Sequence, residues 1–332
     1  MSDTASPARR DHPLMRAVSF AFGTPAIATL FGCLVLLVVG ETIRPGFASL
    51  GQIASQLNVA AILALVAAGQ GIVILSGREG IDLSVGSTMT LCALLAGNTM
   101  NGSDGGILPA LVVALAAGGF VGLLNGLGIT ILRIPPLVMT LGMAGVITGL
   151  LVVLTQGQSS GQAAPAWVQF VARPSFVFGL PGILFLWVLI ILLIEWGLRY
   201  TRFGINLYAV GSNDHAARLA GIAVGLTRIL AYVACGAFAG FAGMVLLGYT
   251  GNIFLGAGEQ YILPGVIAVV LGGTSLAGGK GNYVGTAAGA VFLTLLTAFL
   301  ITVNVAPAQR QIIFGAILIG FMLIYGREKA TR

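Results

Sequence analysis

The segment GSNDHAARLAGI, residues 211–222, places Asp214, His215 and Arg218 within five positions. A carboxylate, an imidazole and a guanidinium this close together can move a proton or bind a charged partner. GQSSG, residues 157–161, fits G-x-S-x-G around Ser159, but that pattern needs a strand-to-helix elbow and a nearby histidine. Both histidines, His12 and His215, fall on the opposite side of the membrane in the topology derived below, which argues against hydrolysis. AGGKGN around Lys280 has the look of half a phosphate loop. Thr274 stands where its first glycine should be, and Gly281 where a serine or threonine should follow. It reads instead as a tight turn carrying one cation. Cys33, Cys92 and Cys235 all sit in apolar runs, with no metal spacing and no disulfide framework. The sequence offers no catalytic residues, no metal ligands and no cofactor bound by this chain. The polar cluster at 211–222 is therefore read as a contact surface.

The surrounding elements explain where such a surface must lie. The chain has 332 residues, 57% hydrophobic and only 8% charged, with a mean hydropathy of +1.01. Soluble domains carry about 25% charged residues. An aqueous surface cannot be built from this composition, whereas lipid solvates it readily. The 49 glycines suit close helix packing in a bilayer. Apolar segments of spanning or near-spanning length fall at 22–40, 53–75, 83–100, 107–131, 135–155, 182–199, 228–250, 261–276, 282–302 and 310–326. The eighth is short enough to be bent or re-entrant. An all-α integral membrane protein of about ten helices follows. It comprises a segment 1–21, a transmembrane domain 22–326 containing a loop at about 200–227, and a tail 327–332. The first apolar run lacks a small-residue cleavage site and reads as an uncleaved span.

The formal charge of +6 bears on topology rather than on nucleic acid. With both termini in the cytoplasm, only Arg44, Arg173 and Arg310 fall outside; every other lysine and arginine falls inside. Within the spans the one ionisable group expected is Glu195, near the inner end of the sixth, beside Arg199. A charge at mid-bilayer would cost about 3 kcal/mol or more, so Glu195 is placed at the interface. Proton- and ion-coupled carriers place ionisable groups in the membrane, and this sequence offers no such relay. Uncharged polar residues are present instead: Gln56, Asn58, Gln70, Asn98, Asn125, Thr140, Tyr249 and Asn252, with Thr130, Thr148 and Thr155. They can either hold helices together or hydrogen-bond a neutral polyhydroxylated solute. Two glycine triples spaced by four, Gly118/Gly122/Gly126 and Gly281/Gly285/Gly289, predict grooves on helix faces. VILSG then VGS (73–87) echoes VVLGG then VGT (269–286), a hint of duplicated halves.

A solute pathway without ion coupling is either passive or driven by a partner. Ser212, Asn213 or Asp214 can cap a short helix that Gly221 ends, presenting His215, Ala216, Ala217, Arg218 and Leu219. GREGIDLSVGS (77–87), NGLGITILRIPPLVMTLGM (125–143), YAVGSNDHAARLAGI (208–222) and VIAVVLGGTSLAGGKGNYVGTAAGA (266–290) resemble the permease subunits of bacterial ABC importers for monosaccharides, the ribose-permease-like family. The resemblance runs from about residue 50 to 326. It implies a type II-like importer fold in the bacterial inner membrane and a second permease copy or paralogue. It also implies separate ABC ATPase subunits that bind ATP-Mg, a periplasmic sugar-binding protein and a sugar cargo. Under it, 212–222 docks on the ATPase, with Ala216, Ala217 and Gly221 matching the family's Glu-Ala-Ala-x3-Gly core and His215 replacing its glutamate. Asp82, Ser84 and Gly86, with Lys280, mark the inner hairpins. Glu79 departs from the family's Gly-Gly-Ile-Asp-Leu-Ser, and PLVMTLG (136–142) from its Pro-Phe-Ile-Ala-Thr-Leu-Gly. The alternative reading is a passive facilitator for small polar solutes.

Overall fold

A computed structural model describes residues 25–326 except 78–79, 159–160 and 174–177. The segment 1–21, the tail 327–332, Arg78, Glu79 and Ser159 therefore lie outside the described residues. Those described form helices α1 (Pro25–Ile43), α2 (Leu50–Leu75), α3 (Val85–Met100), α4 (Ile107–Thr130), α5 (Pro136–Thr155), α6 (Pro165–Ala172) and α7 (Gly182–Tyr200). They continue with α8 (Arg202–Ser212), α9 (Asp214–Leu219), α10 (Val224–Thr250), α11 (Ile262–Leu271), α12 (Tyr283–Thr302) and α13 (Pro307–Gly326). Among the described residues the sole β-pairing is an isolated bridge between Gln162 and Asn252.

Seven of the described helices are long and apolar enough to cross a membrane: α1, α2, α4 with the short turn before it, α5, α7, α10 and α12. The protein is a multi-pass membrane protein. The other three expected spans also coincide with helices, α3, α11 and α13. At 16 residues α3 is short, and at 10 residues α11 rises only about 15 Å, half a hydrocarbon core. Both adjoin glycine-containing non-helical backbone, residues 80–84 before α3 and 272–282 after α11. Non-helical backbone is tolerated at such depth only when packed in protein.

The interior is built around α10, which packs on α2, α3 and α4. Its glycines decide how closely. A methyl group at Gly118 or Gly122 would overlap the carbonyl oxygens of Gly236 and Tyr232, and one at Gly126 would lie 2.9 Å from Ile229 Cα. The first glycine triple thus forms the expected groove, filled by Gly236 and Gly240 of α10. The second divides: Gly285 and Gly289 receive the backbone of α11, while Gly281 precedes α12 and belongs to the hairpin. By contrast α1 and α5 are mostly exposed, with Leu34, Val38, Leu141 and Val153 on their surfaces. Those faces suit lipid.

Segments expected inside gather at one end of the bundle. The end of α2, α8, α9, the start of α10 and the 272–282 hairpin meet there. Segments expected outside gather at the other, where Ala166 N–H donates to Asp104 Oδ1 (2.9 Å) and Trp167 Nε1–H to the Met244 carbonyl (2.9 Å).

Candidate functional site

The polar helix α9 is held in place at both ends. Asn213 is its cap: Oδ1 accepts from the backbone N–H groups of His215 and Ala216, both at 3.0 Å. Gly221, at φ +80°, ends it. There Gly221 N–H reaches the Arg218 carbonyl and Ile222 N–H the Ala217 carbonyl, each at 3.0 Å. This is a Schellman closure, and the left-handed residue it needs is glycine. Ala217 is buried against Val210 and Val224. The opposite face is bare: His215, Ala216, Arg218 and Leu219 are exposed, Leu219 at 78%.

Two further links tie α9 to the bundle. Asp214 forms an ion pair with the buried Arg228 of α10, and a looser one with Arg218 at 3.8 Å. Just before the cap, the backbone of Gly211 and Ser212 abuts Leu75, Gly77 and Gly279, so both inner hairpins meet the loop through glycines. Gly279 N–H donates to the Leu75 carbonyl (3.0 Å) and Tyr208 Oη–H to the Gly281 carbonyl (2.7 Å). Burial, with Glu195 adding to it, pushes the Tyr208 phenol above its ordinary value, so it remains a donor. Lys280 is exposed on the same hairpin.

A second polar group lies within the bundle, where the sequence reading had placed only a hairpin. Asp82 is 1% exposed. Its Oδ1 accepts from Ser84 N–H (2.9 Å) and Ser84 Oγ–H (2.6 Å), and Asn125 Nδ2 approaches the carboxylate at 3.4 Å. Asn125 also donates to Ser84 Oγ at 2.9 Å. Gln70 clasps the Asp82 backbone in both directions, at 2.6 and 3.2 Å. Thr140 donates to the Pro136 carbonyl and lies 3.5 Å from that of Ile81. Gly86 packs against Ile262 and the Gly258 carbonyl. The hairpin folds back between α2 and α4. The expectation that Glu195 is the one ionisable group within the spans is corrected accordingly, because Asp82 lies deep among them and Arg228 is buried at the start of α10. Glu195 pairs with Arg199 at 2.5 Å and accepts from Tyr283 N–H at 3.2 Å, an end-of-helix arrangement.

The eight expected pathway residues do not form one group. Gln70, Asn125 and Thr140 converge on the Asp82 hairpin. Asn58 is buried elsewhere and donates to the Val171 carbonyl (2.7 Å), pinning α6. Gln56 is half-buried. Asn98, Tyr249 and Asn252 are exposed at the opposite end, where Asn252 bridges Gln162. The Asp82–Asn125 pairing spans 43 residues, and no local pattern signals it. The one available hint is an aspartate flanked by Ile81 and Leu83, without turn residues on either side.

Comparison with known proteins places this arrangement. Residues 52–322 match the family described as branched-chain amino acid transport system / permease component. The chain is 35% identical over 303 residues to the autoinducer 2 import system permease protein LsrC of Enterobacter sp. (strain 638), covering 91% of this chain and 85% of that one. It is 32% identical over 307 residues to the ribose import permease protein RbsC of Escherichia coli (strain K12), covering 91% and 94%. No solved structure is a significant match. A match across nearly the whole transmembrane domain, with four motif blocks in order, makes the chain a member of this transport-system permease family, of the ribose-permease-like kind found in ABC importers.

Proposed function

We propose that this chain is the translocation subunit of an ATP-driven importer in the bacterial inner membrane. It carries a monosaccharide or similar small neutral polyhydroxylated solute from periplasm to cytoplasm. The cargo class rests on the ribose and autoinducer 2 relatives, because the family description also covers amino acid systems. ATP is hydrolysed on separate ABC ATPase subunits. A second permease, identical or paralogous, completes the pathway, and a periplasmic binding protein delivers the solute to the end carrying Trp167.

The observation that carries this reading is α9: a capped helix with a bare small-residue face, joined to α10 through Asp214 and Arg228. Exposed Ala216 and Leu219 allow close approach by a partner groove. Movement of that partner is passed to α10, whose glycine-lined contact with α4 lies beside Asn125. The polar residues at the far end, Asn98, Tyr249 and Asn252, are positioned to meet the arriving solute. The Asp82 group keeps the inner hairpin in register.

The test is uptake of radiolabelled sugars into proteoliposomes holding this chain, its ATPase and any neighbouring permease, with the binding protein added. Accumulation that requires ATP and binding protein supports the proposal. Equilibration by this chain alone, without ATP, identifies a facilitator and overturns it.

A further inference from the structure

At the end of the bundle that carries α9, a cavity of about 500 Å³ opens between the ends of α2 and α4, the Arg133–Pro136 turn and the start of α10. Arg133, Arg218 and Arg228 all line it. Among the described residues the carboxylate ion-paired with Arg218 and Arg228 is Asp214. Arg133 makes no ion pair with any described residue and is exposed. Tyr232 also lines the cavity. It is 1% exposed, and its hydroxyl has no hydrogen-bond partner among the described residues. The Thr130 hydroxyl, in the same wall, is likewise buried and unpartnered.

Guanidinium groups and unpartnered hydroxyls together suit an anion rich in acceptor oxygens. Arginine matches phosphate oxygens in a forked geometry. The volume exceeds that of a bare phosphate and falls in the range of small-metabolite sites, about 300–1,000 Å³. Ile134 and Pro136 supply apolar wall. A neutral solute in transit needs no such cluster of cations. We propose that this cavity binds a phosphate monoester, the phosphate held by Arg133 with Arg218 and Arg228, and the organic part facing Tyr232 and Thr130. Because Arg218 and Arg228 also hold Asp214, an occupant competes for the links that fix α9. Occupancy thereby changes coupling to the ATPase. This last step rests on the importer reading; the binding site does not.

The experiment uses the full chain in nanodiscs of phosphatidylcholine, titrated with glucose 6-phosphate, inorganic phosphate or glucose, with thermal unfolding and calorimetric binding as readouts. Glucose 6-phosphate is expected to bind and to raise the unfolding temperature, and glucose to do neither. Arg133→Gln is expected to weaken binding about tenfold with unliganded stability unchanged, and Arg133→Lys to restore part of it. Stabilisation by phosphatidic acid in the nanodisc, lost in Arg133→Gln and without soluble binding, assigns the phosphate to a lipid headgroup and supports the site. If neither source binds, or Arg133→Gln binds as well as wild type, the proposal is overturned. Loss of ATPase stimulation in Arg133→Gln without phosphate binding also overturns it, in favour of a carboxylate of the ATPase as occupant. Binding that leaves ATPase rates of the assembled importer unchanged refutes the regulatory step alone.

Discussion

The guanidinium of Arg228, in the first turns of α10, forms an ion pair with the carboxylate of Asp214 at the start of α9, 14 residues earlier. Arg228 is buried and Asp214 is largely shielded, so this is a link in a low-dielectric setting rather than a solvated pair. Breaking such a pair from one side removes the tighter of the two contacts that neutralise Asp214, leaving the looser one from Arg218. Arg228→Gln is expected to lower stability by about 3 kcal/mol. The exchanged pair Asp214→Arg with Arg228→Asp should recover part of the loss. A double-mutant cycle on detergent unfolding checks both. Additive effects would show that the two side chains do not depend on one another.

The bare face of α9 separates docking from folding. Leu219 is 78% exposed, so Leu219→Arg should change stability by no more than about 0.5 kcal/mol. Under the importer reading it should nonetheless abolish ATPase stimulation by binding protein. Co-purification of the ATPase with the variant reads out docking directly. Wild-type co-purification and stimulation would remove α9 from the interface.

Gly221 tests the closure of that helix. Any other residue at φ +80° is strained by about 1 kcal/mol. Gly221→Ala should lose about that much stability, and Gly221→Asn less, because asparagine tolerates the left-handed region. The order of unfolding temperatures, glycine above asparagine above alanine, is the outcome to look for.

Within the bundle, Asn125→Leu removes the amide that donates to Ser84 and lies against the Asp82 carboxylate. A destabilisation of about 1–3 kcal/mol is expected. The companion variant Asp82→Asn keeps the shape and changes the charge. If Asn125→Leu unfolds at the wild-type temperature, the hairpin is held by other contacts. Asn98→Ala, exposed at the far end, should change uptake kinetics under the importer reading.

The glycine groove gives a contrast between positions of one residue type. Gly118→Ala or Gly236→Ala forces a methyl group into a facing carbonyl, which should cost at least about 1–3 kcal/mol as the helices separate. Gly145→Ala and Gly149→Ala on α5 meet nothing within 4 Å in this chain and favour helix by up to about 1 kcal/mol. Thermal unfolding of the four variants in one detergent should divide them into two classes.

Local chemistry was legible where a short pattern was sufficient. A cap among Ser212, Asn213 and Asp214, Gly221 as terminator and Glu195 beside Arg199 all follow from residues within one helical turn, and the structure selects Asn213 as the cap. The Gly118–Gly126 spacing announced its groove without revealing the partner helix. Asp82 illustrates the limit. Its depth depends on Gln70 and Asn125, on helices before and after it, and a lone aspartate between two apolar segments reads as solvent-exposed until those helices are placed. Lys280, on the analogous hairpin, is exposed. Asn58 holding the Val171 carbonyl is a similar case, a contact across 113 residues of chain. The arginine cavity was illegible for the same reason, since Arg133, Arg218 and Arg228 belong to three separate segments.

Where Gly77, Gly211 and Gly279 meet, they touch one another through backbone atoms. Side-chain joints have rotamers, and rotamers give play: one part can shift while the other stays put. A joint without them has no slack, so α9 and the two hairpins should travel as one piece. Cysteine pairs engineered between the hairpins and α8 should then cross-link equally well in every nucleotide state, while pairs reaching from this unit to α5 should not.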